Sequence, residues 1–174
     1  MTTYRIRKRD GDAKPDAIWD QIPDEHAIRV GRLIAAYALV EFKLEAIIWR
    51  LIGANKHDLR PLTARLDARP KKEAIDDLMA RRASPPDETE AWNLARPLLK
   101  QLSERRNWLA HGVWVPVPIG EISVLLTRKG KAPDIIARAK PVSTTDLDSW
   151  IADARVLVGH LNKILPQSND APLP

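Results

Sequence analysis

The chain has 174 residues, 44% hydrophobic and 29% charged, a balance that suits one ordinary core and excludes a disordered polymer. It has no cysteine, which excludes disulfide frameworks, thiol catalysis and cysteine-bound zinc together. Lys and Arg outnumber Asp and Glu by 28 to 23, and the net charge of +5 favours polyanionic partners, because neutralised phosphates release their counterions.

In chain order, residues 1–22 are polar, carry Gly11 and Pro15, and are expected to form a flexible basic arm. No apolar run follows Arg5, Arg7, Lys8 and Arg9, so the arm does not read as a secretory leader. The longest apolar stretch, Leu33 to Val40, is far too short to span a bilayer. A cytoplasmic protein with no membrane contact is the expectation, with one domain over 23–165.

A long first helix is predicted from Asp24 to Ile52, with Asp24 as its cap and Gly53 as its stop. Val30, Leu33, Ile34, Tyr37, Leu44, Ile48 and Leu51 recur at helical spacing. Ala35, Ala38, Leu39, Phe42, Trp49 and Ile52 fill other faces, so this helix needs several neighbours or a partner chain to cover it.

Pro61, Pro70 and Pro85-Pro86 divide the next stretch into two short helical pieces, about 59–67 and 71–82. A second long helix follows over about 87–110. Asp87 and Glu90 have the spacing of a capping box at its start, Pro97 is expected to kink it near 92–94, and Gly112 suits its end.

Residues 113–142 change in texture. Three β-branched runs are punctuated by Gly120, Gly130 and Pro133, predicting a small antiparallel sheet inserted before the last helix. Pro116 and Pro118 confine its first strand to an edge. The last helix, about 145–165, carries an apolar stripe of Leu147, Trp150, Ile151, Ala154, Val158, Leu161 and Leu165. Residues 166–174 read as a disordered tail. The fold class is mainly α.

The seven glycines never cluster, so no phosphate-cradling loop or dinucleotide fingerprint is present. His26, His57, His111 and His160 are isolated, without a His-x-x-x-His pair or a carboxylate cluster at ligand spacing. Neither a metal nor a cofactor is expected.

One constellation remains at the end of the second long helix: Glu104-Arg105-Arg106-Asn107-Trp108-Leu109-Ala110-His111-Gly112. Cations suit a helix C-terminus on dipole grounds alone. Asn107 and His111, however, are four apart and share a face, while Arg106 lies about 140° from His111 at 100° per residue. Two such helices meeting across a two-fold axis would gather two His, two Asn and two Arg, a polyanion site with acid–base capacity. On the first helix, Glu41 lies within the apolar stripe, where an unpaired carboxylate is costly. It either reaches water or pairs with Arg105 or Arg106.

Arg106 followed by Asn107, with His111 five residues on and Ala110-His111-Gly112 closing the helix, resembles the motif of the HEPN domain family. The long first helix with acidic Glu41 midway, the strand entered after His111-Gly112 and the final amphipathic helix extend the resemblance over about 24–165. It implies a HEPN-like helical bundle that dimerises through the motif helices. It also implies metal-independent endoribonuclease activity, as in toxins and defence components, with Arg106, His111 and Asn107 catalytic and Glu41 and Arg105 supporting. RNA is then the substrate or ligand, and an antitoxin-like protein a partner. Where HEPN toxins paired with a nucleotidyltransferase antitoxin carry a modified Tyr two residues past the His, this chain has Val113. A non-catalytic HEPN-like module, binding RNA, a nucleotide or a protein, is the alternative.

Overall fold

A computed structural model describes residues 3–4, 22–117, 121–128 and 136–165. In chain order the elements are β1 (Thr3–Tyr4), α1 (Asp24–Ile52), α2 (Lys56–Thr63), α3 (Ala68–Arg81), α4 (Pro86–His111), β2 (Val113–Val117), β3 (Glu121–Arg128), β4 (Ile136–Val142) and α5 (Thr144–Ile164). The fold is mainly α, with an antiparallel sheet before the last helix. The chain divides into two compact units. One comprises Met1–Ile34 with Glu104–Ile151, the other Ala35–Ser103 with Ala152–Pro174. No helix among the described residues is long and apolar enough to cross a membrane.

The unit of Ala35–Ser103 and Ala152–Pro174 is a helical bundle tied together from α1. Val40, Leu44, Ile47, Ile48 and Leu51 are buried along one side of that helix, as the 3.6-residue period requires. Polar side chains on neighbouring turns then reach outward to each other helix. Glu45 accepts a hydrogen bond from Lys71 Nζ of α3 at 2.7 Å, in an ion pair whose side chains are 11% and 3% exposed. Trp49 donates its indole N–H to the Thr63 hydroxyl of α2 at 2.9 Å, and that hydroxyl lies 3.4 Å from Glu45. Arg50 pairs with Glu88 of α4 at 2.5 Å and also donates to the carbonyl of Ile164 at the end of α5. Gly53, at φ 72, ends α1. Gly53 N–H bonds to Arg50 O and Ala54 N–H to Trp49 O, the paired bonds of a Schellman turn.

The two short helices begin earlier than the prolines suggest. Asn55 caps α2 by accepting from His57 N–H, leaving Pro61 inside the helix. Pro70 stands in the first turn of α3, where its missing N–H costs nothing because that position has no helical acceptor. In α4 the expected capping box is replaced. Pro86 is the first helical residue, Pro85 O accepts Thr89 N–H, and the buried first-turn carboxylate is Glu88, drawn to Arg50. The helix continues through Pro97 to His111.

The other unit carries the sheet, in the order β1-β4-β3-β2, all antiparallel. β2 is an edge strand, consistent with Pro116, which pairs opposite Ile122. Thr3 and Tyr4 pair with Arg138 and Ala137, so the start of the expected flexible arm supplies a fourth strand. The rest of that arm, Pro118, Gly120, Gly130, Pro133 and the tail over 166–174 lie outside the described residues. α5 opens with a reciprocal cap: Ser143 Oγ accepts Asp146 N–H at 3.0 Å, and Asp146 accepts from Ser143 N–H at 3.0 Å. Its buried stripe keeps Leu147, Trp150, Ala154 and Leu161 and adds Leu157 and Ile164.

Breaking the Glu45–Lys71 pair from either side strands a buried charge. Glu45→Ala or Lys71→Ala should each lower unfolding stability by about 3–5 kcal/mol in a denaturant titration. Arg69→Ala, which removes an exposed pair with Glu73, should leave unfolding stability nearly unchanged. Equal effects of the two changes would show that the buried pair is not a structural tie.

Asp76 of α3 accepts from Lys72 at 2.5 Å and from the Trp92 indole at 2.7 Å, and lies 3.5 Å from Arg96. Burial pushes its carboxyl up, but those hydrogen bonds and the charges of Lys72 and Arg96 outweigh burial and hold it below the usual carboxylate range. A carboxylate depressed by folding contributes stability that is complete above its unfolded-state pKa and lost as pH falls through the folded value. Asp76→Asn should therefore lower Tm at pH 7, with the gap to wild type narrowing below about pH 4. A gap constant from pH 7 to pH 2 would assign the effect to the Asn side chain rather than to charge.

Candidate functional site

The last turns of α4 lie wholly in the unit of Met1–Ile34 and Glu104–Ile151, and local contacts fix their direction. Leu109 is buried, 3% exposed, and orients the helix end toward the core. Gly112 N–H bonds to Trp108 O at 2.9 Å before the chain enters β2. Trp114, the second residue of that strand, donates its indole N–H to Leu109 O at 3.0 Å. A carbonyl that a helix end leaves without a backbone partner is thereby satisfied.

The two arginines part company. Arg105 stacks its guanidinium 5.2 Å from the ring centroid of Trp150 on α5, a cation–π contact that also covers its aliphatic stem. One residue on, and about 100° round the helix, half-buried Arg106 donates from Nη1 to Asn107 Oδ1 at 3.2 Å. Arginine offers only donors, so the amide oxygen of Asn107 must face it and the amide NH₂ must face away. Asn107 and His111 are both exposed, and no hydrogen bond of the His111 ring occurs among the described residues. Elsewhere in this unit, Arg29 of α1 donates to Asp148 of α5 at 3.0 Å and 3.1 Å.

Of the predicted site residues, Arg106, Asn107 and His111 all lie in the last two turns of α4, Asn107 and His111 exposed and Arg106 half-buried against Asn107. Arg105 is turned onto an aromatic ring. Glu41 belongs to the other unit and is half-buried. The buried, paired carboxylate of α1 is Glu45, one turn further on. Sequence reasoning missed both tryptophans of the site's frame. The signal for Trp114 was its position just past Gly112, and that for Trp150 its place in the apolar stripe of α5. No group of three or more His, Cys, Asp or Glu side chains able to hold a metal occurs among the described residues.

No family model, curated protein or solved structure matches this chain.

The exposure pattern separates stability from function at this helix end. His111→Ala and Asn107→Ala should each change stability by no more than about 0.5 kcal/mol. Trp114→Phe, which leaves the Leu109 carbonyl without its donor, should cost about 1 kcal/mol or more. Paired denaturant titrations test this, and a large loss in His111→Ala would make that ring a structural element.

Proposed function

We propose that this chain is a metal-independent endoribonuclease of the HEPN type, acting as a homodimer, with its site at the end of α4. The observation that carries the reading is exposed His111 one turn past the hydrogen-bonded Arg106–Asn107 pair, an imidazole and a permanent cation at the same helix end. In the reaction, the RNA 2′-hydroxyl attacks the adjacent phosphorus. The O2′–P bond forms as the P–O5′ bond breaks, leaving a 2′,3′-cyclic phosphate and a 5′-hydroxyl. His111 takes the proton from the 2′-oxygen, and His111 of the second protomer returns one to the departing 5′-oxygen. Arg106 offsets the charge that builds on the phosphoryl oxygens, and the outward-facing amide NH₂ of Asn107 donates to one of them. Arg105 acts through Trp150 to hold the turn.

The need for two protomers rests on α1. Leu39 and Phe42, each 45% exposed, leave an apolar face there together with exposed Ala35 and Ala38, a surface that a second copy would cover. A toxin or defence role, with an antitoxin-like protein as partner, follows from the same family likeness.

Purified protein incubated with mixed RNA in excess EDTA should yield 2′,3′-cyclic phosphate ends, while DNA, lacking the attacking hydroxyl, resists. His111→Ala should cut the rate by about 10²–10⁴-fold and Arg106→Ala should also abolish cleavage. Activity lost on chelation, or retained in His111→Ala, would refute the mechanism. A folded dimer that binds RNA without ever cutting it would favour the non-catalytic module. In light scattering the wild type should weigh about twice its 19.6 kDa protomer, and Leu39→Glu/Phe42→Glu should be monomeric. A monomeric wild type at all concentrations would remove the composite site.

A further inference from the structure

α2 has no part in the site at the end of α4, yet it carries a surface feature of its own. His57, Arg60, Pro61 and Ala64 recur at helical spacing along and just past this helix, and with Arg65 they line an open concavity of about 350 Å³. All five residues are exposed. The lining combines the apolar Pro61 ring and Ala64 methyl with two guanidiniums and an imidazole. No carboxylate lines it. The nearest in sequence, Asp58 and Asp67, pair with neither arginine.

Several other cations of the same unit are held in ion pairs. Lys71 is committed to Glu45, Arg50 to Glu88, Arg69 to Glu73, and Lys72 and Arg96 share Asp76. Arg60 and Arg65 form no ion pair among the described residues. Two uncompensated guanidiniums in one depression raise the local potential for anions. Their planar forks match the oxygens of phosphate, while the apolar part of the lining accepts a ribose or a base face.

We propose that the α2 concavity grips the phosphodiester backbone of a single-stranded nucleic acid, Arg60 and Arg65 each contacting phosphate and His57 hydrogen-bonding beside them. Naming RNA as that strand rests on the ribonuclease reading above; the contact to phosphate does not. The site fixes where a strand lies rather than which sequence it has, since phosphate contacts carry no base information.

The test is fluorescence anisotropy with a labelled single-stranded RNA and a DNA of the same sequence, using the full chain with His111→Ala so that no strand is cut. Arg60→Ala/Arg65→Ala in that background should weaken both ligands at least about tenfold at low salt. The slope of log affinity against log salt should become shallower by about 1.4, two phosphates at about 0.7 each. Arg69→Ala, an exposed but paired cation nearby, should leave affinity and slope unchanged. Unchanged binding in the double variant, or no binding of either strand without it, would overturn the proposal. A wild type that never cuts RNA, with the double variant still impaired in binding, would sink the ribonuclease reading and leave this site standing.

Discussion

Glu45 sits on the apolar side of α1, between Leu44 and Ile48, where an ionised carboxylate cannot remain without a partner. Lys71 meets it from α3, and because both ends of the pair are almost out of water, the desolvation cost is offset only while the 2.7 Å contact holds. Such a pair adds little net stability compared with apolar residues of the same volume, but it tolerates no slippage. Around it, Trp49 to Thr63 and Arg50 to Glu88 repeat the device on the next turn, so that a single stretch of α1 sets the position of four other helices. Directional bonds choose one arrangement among the many that apolar burial alone would allow.

At the end of α4 the logic is inverted. There the apolar and aromatic groups lie behind the helix, with Leu109 buried, Trp114 holding its carbonyl and Trp150 under Arg105, while Asn107 and His111 face solvent. A helix end fixed by three contacts behind it presents its outer side chains with little freedom in the backbone beneath them. That is the condition a reactive constellation requires, because misplacement by an ångström costs far more than the hydrogen bonds involved.

The long elements were legible because burial writes a period into sequence. α1 starts and stops at the residues expected, and α5 lies within one residue of its expected span. The short helices were misplaced because prolines were read as boundaries. Position within the first turn makes Pro70 harmless, and Asn55 supplies a cap that outranks Pro61 as a marker. At the candidate site, Arg106, Asn107 and His111 fall within the last two turns of one helix and could be seen together. Long-range partners could not. Glu41 and Glu45 both fall among apolar residues on one helix, and only Lys71, 26 positions away, determines which carboxylate is buried as an ion. In the same way, nothing local to Arg105 announces Trp150.

The margins of the sheet have a consequence for the protein at high concentration. An open β-edge is a template on which another chain's strand can add, and long flat edges invite fibres. Among the described residues one margin is a strand of two residues, and the other carries a proline, which has no N–H to donate to a ladder. Both described flanks are thus poor seeds for strand addition.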